Sequence, residues 1–112
     1  MSGAQHPIIV IPKDAGERGH GHYLISGHCC ESGDILTPEP GNPEGLLARD
    51  LTEARLGDYL VIEGAGAYCA GMASKNYNSF PECAETLRGI DGAIRLIRTR
   101  QEPDQIWANE LL

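Results

Sequence analysis

The chain has 112 residues, 41% hydrophobic and 22% charged, which suits one compact domain with a modest core and fits neither a disordered nor a membrane-spanning protein. Its net charge of -7 argues against nucleic acid or anionic membrane surfaces as main partners, because both are met by basic surface. The start "MSGAQHPIIVIP" has no basic lead before a long apolar run, and the run stops at Pro12, short of the ~20 residues of a membrane span. A cytoplasmic protein is expected, with Cys29, Cys30, Cys69 and Cys83 kept reduced.

In chain order, "HPIIVI" (6–11) is a continuous apolar run rich in β-branched residues and reads as a buried strand. "KDAGERGHGH" (13–22) reads as a polar loop. "YLISG" (23–27) reads as a second short strand that delivers the segment "GHCCESGD" at its end. "TPEPGNPEG" (37–45) holds three prolines and two glycines and reads as a loop. Apolar residues at 46, 47, 51 and 56 allow a short helix before Gly57-Asp58, and "YLVIE" (59–63) reads as a third strand. "GAGAY" (64–68) is too glycine-rich for a regular element, and 69–80 has room for one or two helical turns before Pro81. Segments 82–89 and 93–100 read as strands joined by the turn "IDG". Apolar residues at 106, 107, 111 and 112 predict an amphipathic helix with Pro103 in its first turn and Trp107 anchored in the core. The expected fold is mainly β, barrel- or sandwich-like, with a short C-terminal α-helix. An opening strand without a lead-in leaves sheet edges unpaired, as if the sequence began partway through a larger fold.

The segment "GHCCESGD" (27–34) gathers most of the reactive groups. A zinc site there would draw on Cys29, Cys30, His28, His20 and His22. Adjacent cysteines do not readily close a tetrahedron, however, and no second pair lies downstream, so no metal is expected. His20 and His22 read as part of a solvated loop. Cys29, Cys69 and Cys83 read as small buried hydrophobes, and by residue type alone so does Cys30.

Three stretches, "GHCCESGD", "GAGAYCAGMASKNYNSFPECAETL" and "AIRLIRTRQEPDQIW", together resemble the C-terminal portion of the fold-type III, pyridoxal-phosphate-dependent decarboxylases, and most of all their diaminopimelate decarboxylase branch. The resemblance runs from about Gly3 to the last predicted helix. It implies that residues 1–112 are the C-terminal β-domain portion of such an enzyme. The cofactor-binding (β/α)8 barrel and its Schiff-base lysine would lie outside these residues. Lys13 and Lys75 match no such position, so the chain alone is expected to be inactive.

By the same resemblance Cys30 is the acid that protonates the substrate carbon after decarboxylation, reaching across a dimer interface into the partner's site. A thiol suits that role because its reference pKa of ~8.5 keeps it protonated near neutrality. Glu31 matches the residue that recognises the far end of the substrate, where a carboxylate pairs with an ammonium. Tyr68 matches the tyrosine that lies against the cofactor and donates to its phosphate, and it is expected to contact the substrate as well. Ser32 and Asp34 are assigned to turn hydrogen bonds, and Asn76 and Asn78 to fixing a loop near the site. The sequence departs from the common family pattern by one extra residue, Lys75, and by its long Pro-rich stretch 37–45.

The implied reaction converts meso-diaminopimelate to lysine and carbon dioxide, in a homodimer that takes a small amino acid and pyridoxal 5'-phosphate. Alternatives are a decarboxylase for another basic amino acid or a siderophore precursor, and a freestanding, non-catalytic assembly domain. Self-association is expected through residues 6–11.

Overall fold

The computed structural model describes residues 4–66 and 68–111. The described chain is mainly β with two short 3₁₀ turns, and it divides into two compact units, residues 1–72 and 73–112.

The first unit contains strands β1 (Ile8–Ile11), β2 (His20–Tyr23), β3 (Pro38–Glu39), β4 (Asn42–Leu46), β5 (Arg49–Thr52) and β6 (Tyr59–Ile62). They form antiparallel pairs β1–β6, β2–β5 and β3–β4, and β1 also packs against β5. Register places Val10 opposite Leu60 and Gly21 opposite Leu51. Among the described residues each of these strands has a single ladder neighbour, so its other edge carries no ladder.

Several expectations are corrected here. The run 6–11 is not buried on both faces. Val10 is 7% exposed while Ile9 and Ile11 are 44% and 48% exposed, the alternation of a strand covered on one side only. The second strand lies at His20–Tyr23, so His20 and His22 sit on exposed strand positions rather than in a loop. Residues 24–27 are not a regular strand; only Ser26 bridges, to Ile35. The Pro-rich stretch is a hairpin, β3–β4, closed at Pro40-Gly41. Gly41 takes φ +76 there, the left-handed angle that a Pro-Gly turn places on its second residue. The short helix expected over 46–58 is absent: β4 ends at Leu46, β5 takes Arg49–Thr52, and the Asp58 N–H closes a turn on the Arg55 carbonyl.

A cluster around Asp58 ties the base of this unit together. Its carboxylate accepts from the Lys13 N–H at 2.8 Å, the Arg55 N–H at 2.7 Å, and the Arg18 guanidinium at 2.8 and 3.3 Å. Arg18 also donates to the Glu53 carbonyl at 3.3 Å. Loop 13–18 is thereby fastened to the 53–58 turn by a nearly buried ion pair. These donors hold the Asp58 carboxyl below the usual carboxylate range; the Lys13 N–H is the largest cause, then the Arg55 N–H, with the Arg18 guanidinium adding to them.

The second unit is the hairpin β7 (Glu85–Arg88) and β8 (Ile94–Arg98), flanked by 3₁₀ turns Tyr77–Ser79 and Pro103–Ile106. The expected hairpin over 82–100 is present, with its turn at 89–92. The C-terminal α-helix is replaced by the second of these turns, in which the Glu102 N–H donates to Gln105 Oε1 at 2.7 Å. A helix this short is not self-sustaining without a core to dock on. No core anchors it, since Trp107 is 56% exposed rather than buried. Cys69 and Cys83, expected inside, are both exposed, Cys69 in the first unit and Cys83 in the second.

Candidate functional site

The 27–34 segment is the tip of a short antiparallel ribbon. Its sides are joined by the Leu36 N–H to the Ile25 carbonyl at 2.8 Å and the Gly27 N–H to the Asp34 carbonyl at 2.8 Å, with the Ser26–Ile35 bridge between them. Thr37, with no exposed surface, fastens the base. Its hydroxyl accepts from the Ile25 N–H at 3.0 Å, and its carbonyl accepts from the Leu47 N–H at 3.1 Å. A buried hydroxyl with its bonds made is a fixed point rather than a liability. Nothing in the sequence singled out Thr37, because a threonine before proline in a loop-like stretch carries no such signal.

Within the tip, the Glu31 N–H donates to the Cys29 carbonyl at 2.9 Å and the Asp34 N–H to the Glu31 carbonyl at 3.1 Å. Asp34 Oδ2 accepts from the Cys29 N–H at 2.8 Å. Glu31 Oε1 accepts from the Gly33 N–H at 2.9 Å and the Ser32 hydroxyl at 3.4 Å. The turn roles expected for Ser32 and Asp34 are therefore present. A Cβ at Gly27 would run into the Asp34 carboxylate, so a side chain there would have to displace that carboxylate from the Cys29 N–H.

The two adjacent cysteines differ. Cys29 is half-buried and Cys30 exposed. Partial burial, then the Asp34 charge and the thiol's hydrogen bond to Asp34, push the Cys29 thiol up from its ordinary value. None of the four cysteines forms a disulfide. Among the described residues no group of three or more His, Cys, Asp or Glu side chains converges as a metal site.

Cys30 and Glu31 are brought together in this one tip, while Tyr68 is carried by another segment of the same unit. Tyr68 is 69% exposed and has left-handed backbone at φ +66, uncommon for a bulky residue. Its carbonyl accepts from the Met72 N–H at 2.8 Å, which opens the 68–72 turn. Ala67, the neighbour within "GAGAY", lies outside the described residues.

Asn76 and Asn78 belong to the second unit, at φ +56 and +51. Asn76 Nδ2 donates to the Phe80 carbonyl at 3.1 Å and to Gln101 Oε1, which also accepts from the Glu82 N–H at 2.9 Å. Asn76 does fix its loop. The extra residue Lys75 pairs with Glu82 at 3.3 Å.

The donor set fits a contribution to a pyridoxal phosphate site. An exposed phenol suits a phosphate oxygen, and an exposed thiol beside an oriented carboxylate suits a substrate amino acid. Among the described residues no helix is long and apolar enough to cross a membrane.

Comparison with known proteins bears on the same residues. Residues 1–66 match the family model of the pyridoxal-dependent decarboxylase C-terminal sheet domain. The chain is 42% identical over 115 aligned residues to diaminopimelate decarboxylase of Escherichia coli K12, covering all of this chain and 26% of that protein. Identity is 37% to the Streptomyces coelicolor enzyme of that name, over 99% of this chain and 25% of that one. It is 45% to the Neisseria meningitidis enzyme, over 78% and 18%. A crystal structure of diaminopimelate decarboxylase superposes with a TM-score of 0.85 at 39% identity, over all of this chain and 26% of that one. The chain spans about a quarter of the length of the curated relatives it matches most extensively.

Proposed function

We propose, because this chain belongs to the pyridoxal-dependent decarboxylase family, that it is the sheet-domain part of a carboxy-lyase converting meso-diaminopimelate to lysine and carbon dioxide in the cytoplasm. The relatives' names support the substrate, and their greater length supports a cofactor-binding barrel supplied by further sequence. Pyridoxal phosphate, when bound, supplies the electron sink for the pair left as carbon dioxide departs.

The chain's own residues do the rest of the assigned work. Cys30 Sγ holds a proton and delivers it to the substrate α-carbon. Glu31 binds the ammonium at the substrate's far end through a charge-assisted hydrogen bond. The Gly33 N–H and Ser32 hydroxyl on Oε1 orient that carboxylate beforehand. The Tyr68 phenol donates to a phosphate oxygen. Its left-handed backbone supports this assignment, because such strain, ~1–3 kcal/mol, persists where surrounding structure or function demands it.

Lys13 and Lys75 are the only lysines. Neither matches the family's Schiff-base lysine, so the covalent tether for the cofactor is assigned to the barrel and this chain alone is expected to be inactive. Strand edges without ladders and the half-exposed Ile9 and Ile11 support a homodimer, with neighbouring strands completing a barrel- or sandwich-like closure.

The observation that carries the assignment is the division of the cysteine pair: Asp34 engages Cys29, and the next residue, Cys30, is exposed beside Glu31. In a complete enzyme carrying this segment, Cys30→Ala is expected to lower kcat by about 10²- to 10⁴-fold and Cys29→Ala to leave it within a few-fold. Equal losses in the two variants would refute the assignment.

A further inference from the structure

We infer that Asp34 is the positioning residue of the site: by accepting the Cys29 N–H and lying against the Gly27 α-carbon, it folds the 27–34 tip so that the first thiol of the pair turns inward and the second outward. The inference rests on the assignment of Cys30 made above, and it assigns to Asp34 a role beyond closing a turn.

Three observations converge on this one residue. It caps the Cys29 amide at 2.8 Å. It occupies the space that any side chain at residue 27 would need, so Gly27 and Asp34 are matched parts of one device. Its own backbone closes the ribbon twice, through the Gly27 N–H to its carbonyl and its N–H to the Glu31 carbonyl. Residues 28–30 are a bend rather than a strand, so strand alternation does not separate the two thiols. The separation comes from the tie to Asp34. Partial burial first, and then the Asp34 charge and hydrogen bond, raise the Cys29 thiol above its ordinary value, which adds to the same order of reactivity toward alkylating agents.

The test is site-resolved alkylation of the 112-residue chain by iodoacetamide, read by fragment mass spectrometry, with exposed Cys69 and Cys83 as reference thiols. In the unaltered chain Cys30 is expected to react roughly tenfold faster than Cys29. Asp34→Ala should bring the two rates to within about twofold, without changing those of Cys69 and Cys83. Asp34→Asn should keep most of the difference, because an amide oxygen accepts the same N–H. Amide exchange at Cys29, slow in the unaltered chain and in Asp34→Asn, supplies a readout if Asp34→Ala fails to fold. Equal rates for Cys29 and Cys30 in the unaltered chain, or an Asp34→Asn variant that behaves as Asp34→Ala does, would overturn the inference. Labelling is indifferent to turnover, so a catalytic failure of Cys30 would appear only in the Cys30→Ala kinetics.

Discussion

The 27–34 tip and the 64–72 segment contribute to the same proposed site by opposite means. The tip is held from within: five backbone amides and one hydroxyl between Gly27 and Asp34 donate to acceptors in the same stretch. Both of its carboxylates are used as turn acceptors. In the 64–72 segment the Met72 N–H to the Tyr68 carbonyl closes a turn, while Gly64 and Tyr68 both take left-handed backbone and the Tyr68 ring faces solvent. The tip is ordered by its own bonds, so in the proposed site Cys30 and Glu31 would lose little further freedom on binding. The tyrosine's placement leans on whatever it meets, so its contribution lies in the contact made rather than in the fold kept.

Two experiments break that comparison if it is wrong. Tyr68→Phe in the complete enzyme removes one donor and leaves the ring. A hydrogen bond to a charged acceptor is worth ~1.5–3 kcal/mol, so cofactor affinity should fall roughly 10- to 100-fold with urea stability unchanged. Equilibrium cofactor release measured by absorbance checks this, and unaltered affinity would remove Tyr68 from the site. The second experiment contrasts two glycines. A Cβ on Gly27 collides with the Asp34 carboxylate, whereas one on Gly66 meets nothing within 4 Å among the described residues beyond its chain neighbours. Gly27→Ala should destabilise the unit by about 1–3 kcal/mol, as overpacking does, and Gly66→Ala should stay within about 0.5 kcal/mol of the unaltered chain. Urea midpoints decide, and equal midpoints would mean that the tip is no better determined than the tyrosine segment.

The same contrast governs what was legible in the sequence. The tip was legible as a motif because its chemistry is local: Cys30, Glu31, Ser32 and Asp34 act on residues within seven positions of one another. The hairpin β7–β8 was legible for the same reason, two β-rich runs around Asp91-Gly92. What was misread depends on partners distant in sequence. "GHGHY" carries a period-2 pattern, exposed histidines alternating with less exposed Gly21 and Tyr23, but glycine weighs toward a loop until the pairing with β5 is known. The stretch 46–58 has helix-compatible spacing, and pairing of β5 with β2 and of β4 with β3 overrides it. The C-terminal helix failed because periodicity describes a face and says nothing about whether a surface exists to cover it. The difference in exposure between Cys29 and Cys30 is a property of the folded tip, where the Cys29 N–H meets the Asp34 side chain, and no spacing rule supplies that.

The smallest expected effect concerns Asp58, which secures the loop and turn at the base of the unit that carries both segments. Its carboxyl is held below its ordinary value, chiefly by the Lys13 and Arg55 N–H donors, with Arg18 adding to them and partial desolvation opposing. The groups around it are Lys13, Arg18, Arg55 and Glu53. Glu53 is itself held low, first by its bonds with Arg55, then by the Gly19 N–H. A carboxyl whose folded pKa lies below its unfolded one binds fewer protons folded than unfolded. Its contribution is therefore present above the unfolded value, about 3.9, and is lost as pH falls through the folded one. Thermal midpoints should be level from pH 7 to about pH 5 and decline below about pH 4. Asp58→Asn should lower the midpoint at pH 7 and flatten the acid decline, because the variant has no proton to take up there. An acid decline of equal slope in both proteins would show that other carboxylates, such as the exposed Asp91 paired with Arg95, carry the acid sensitivity, and that the base of the unit does not depend on the charge of Asp58.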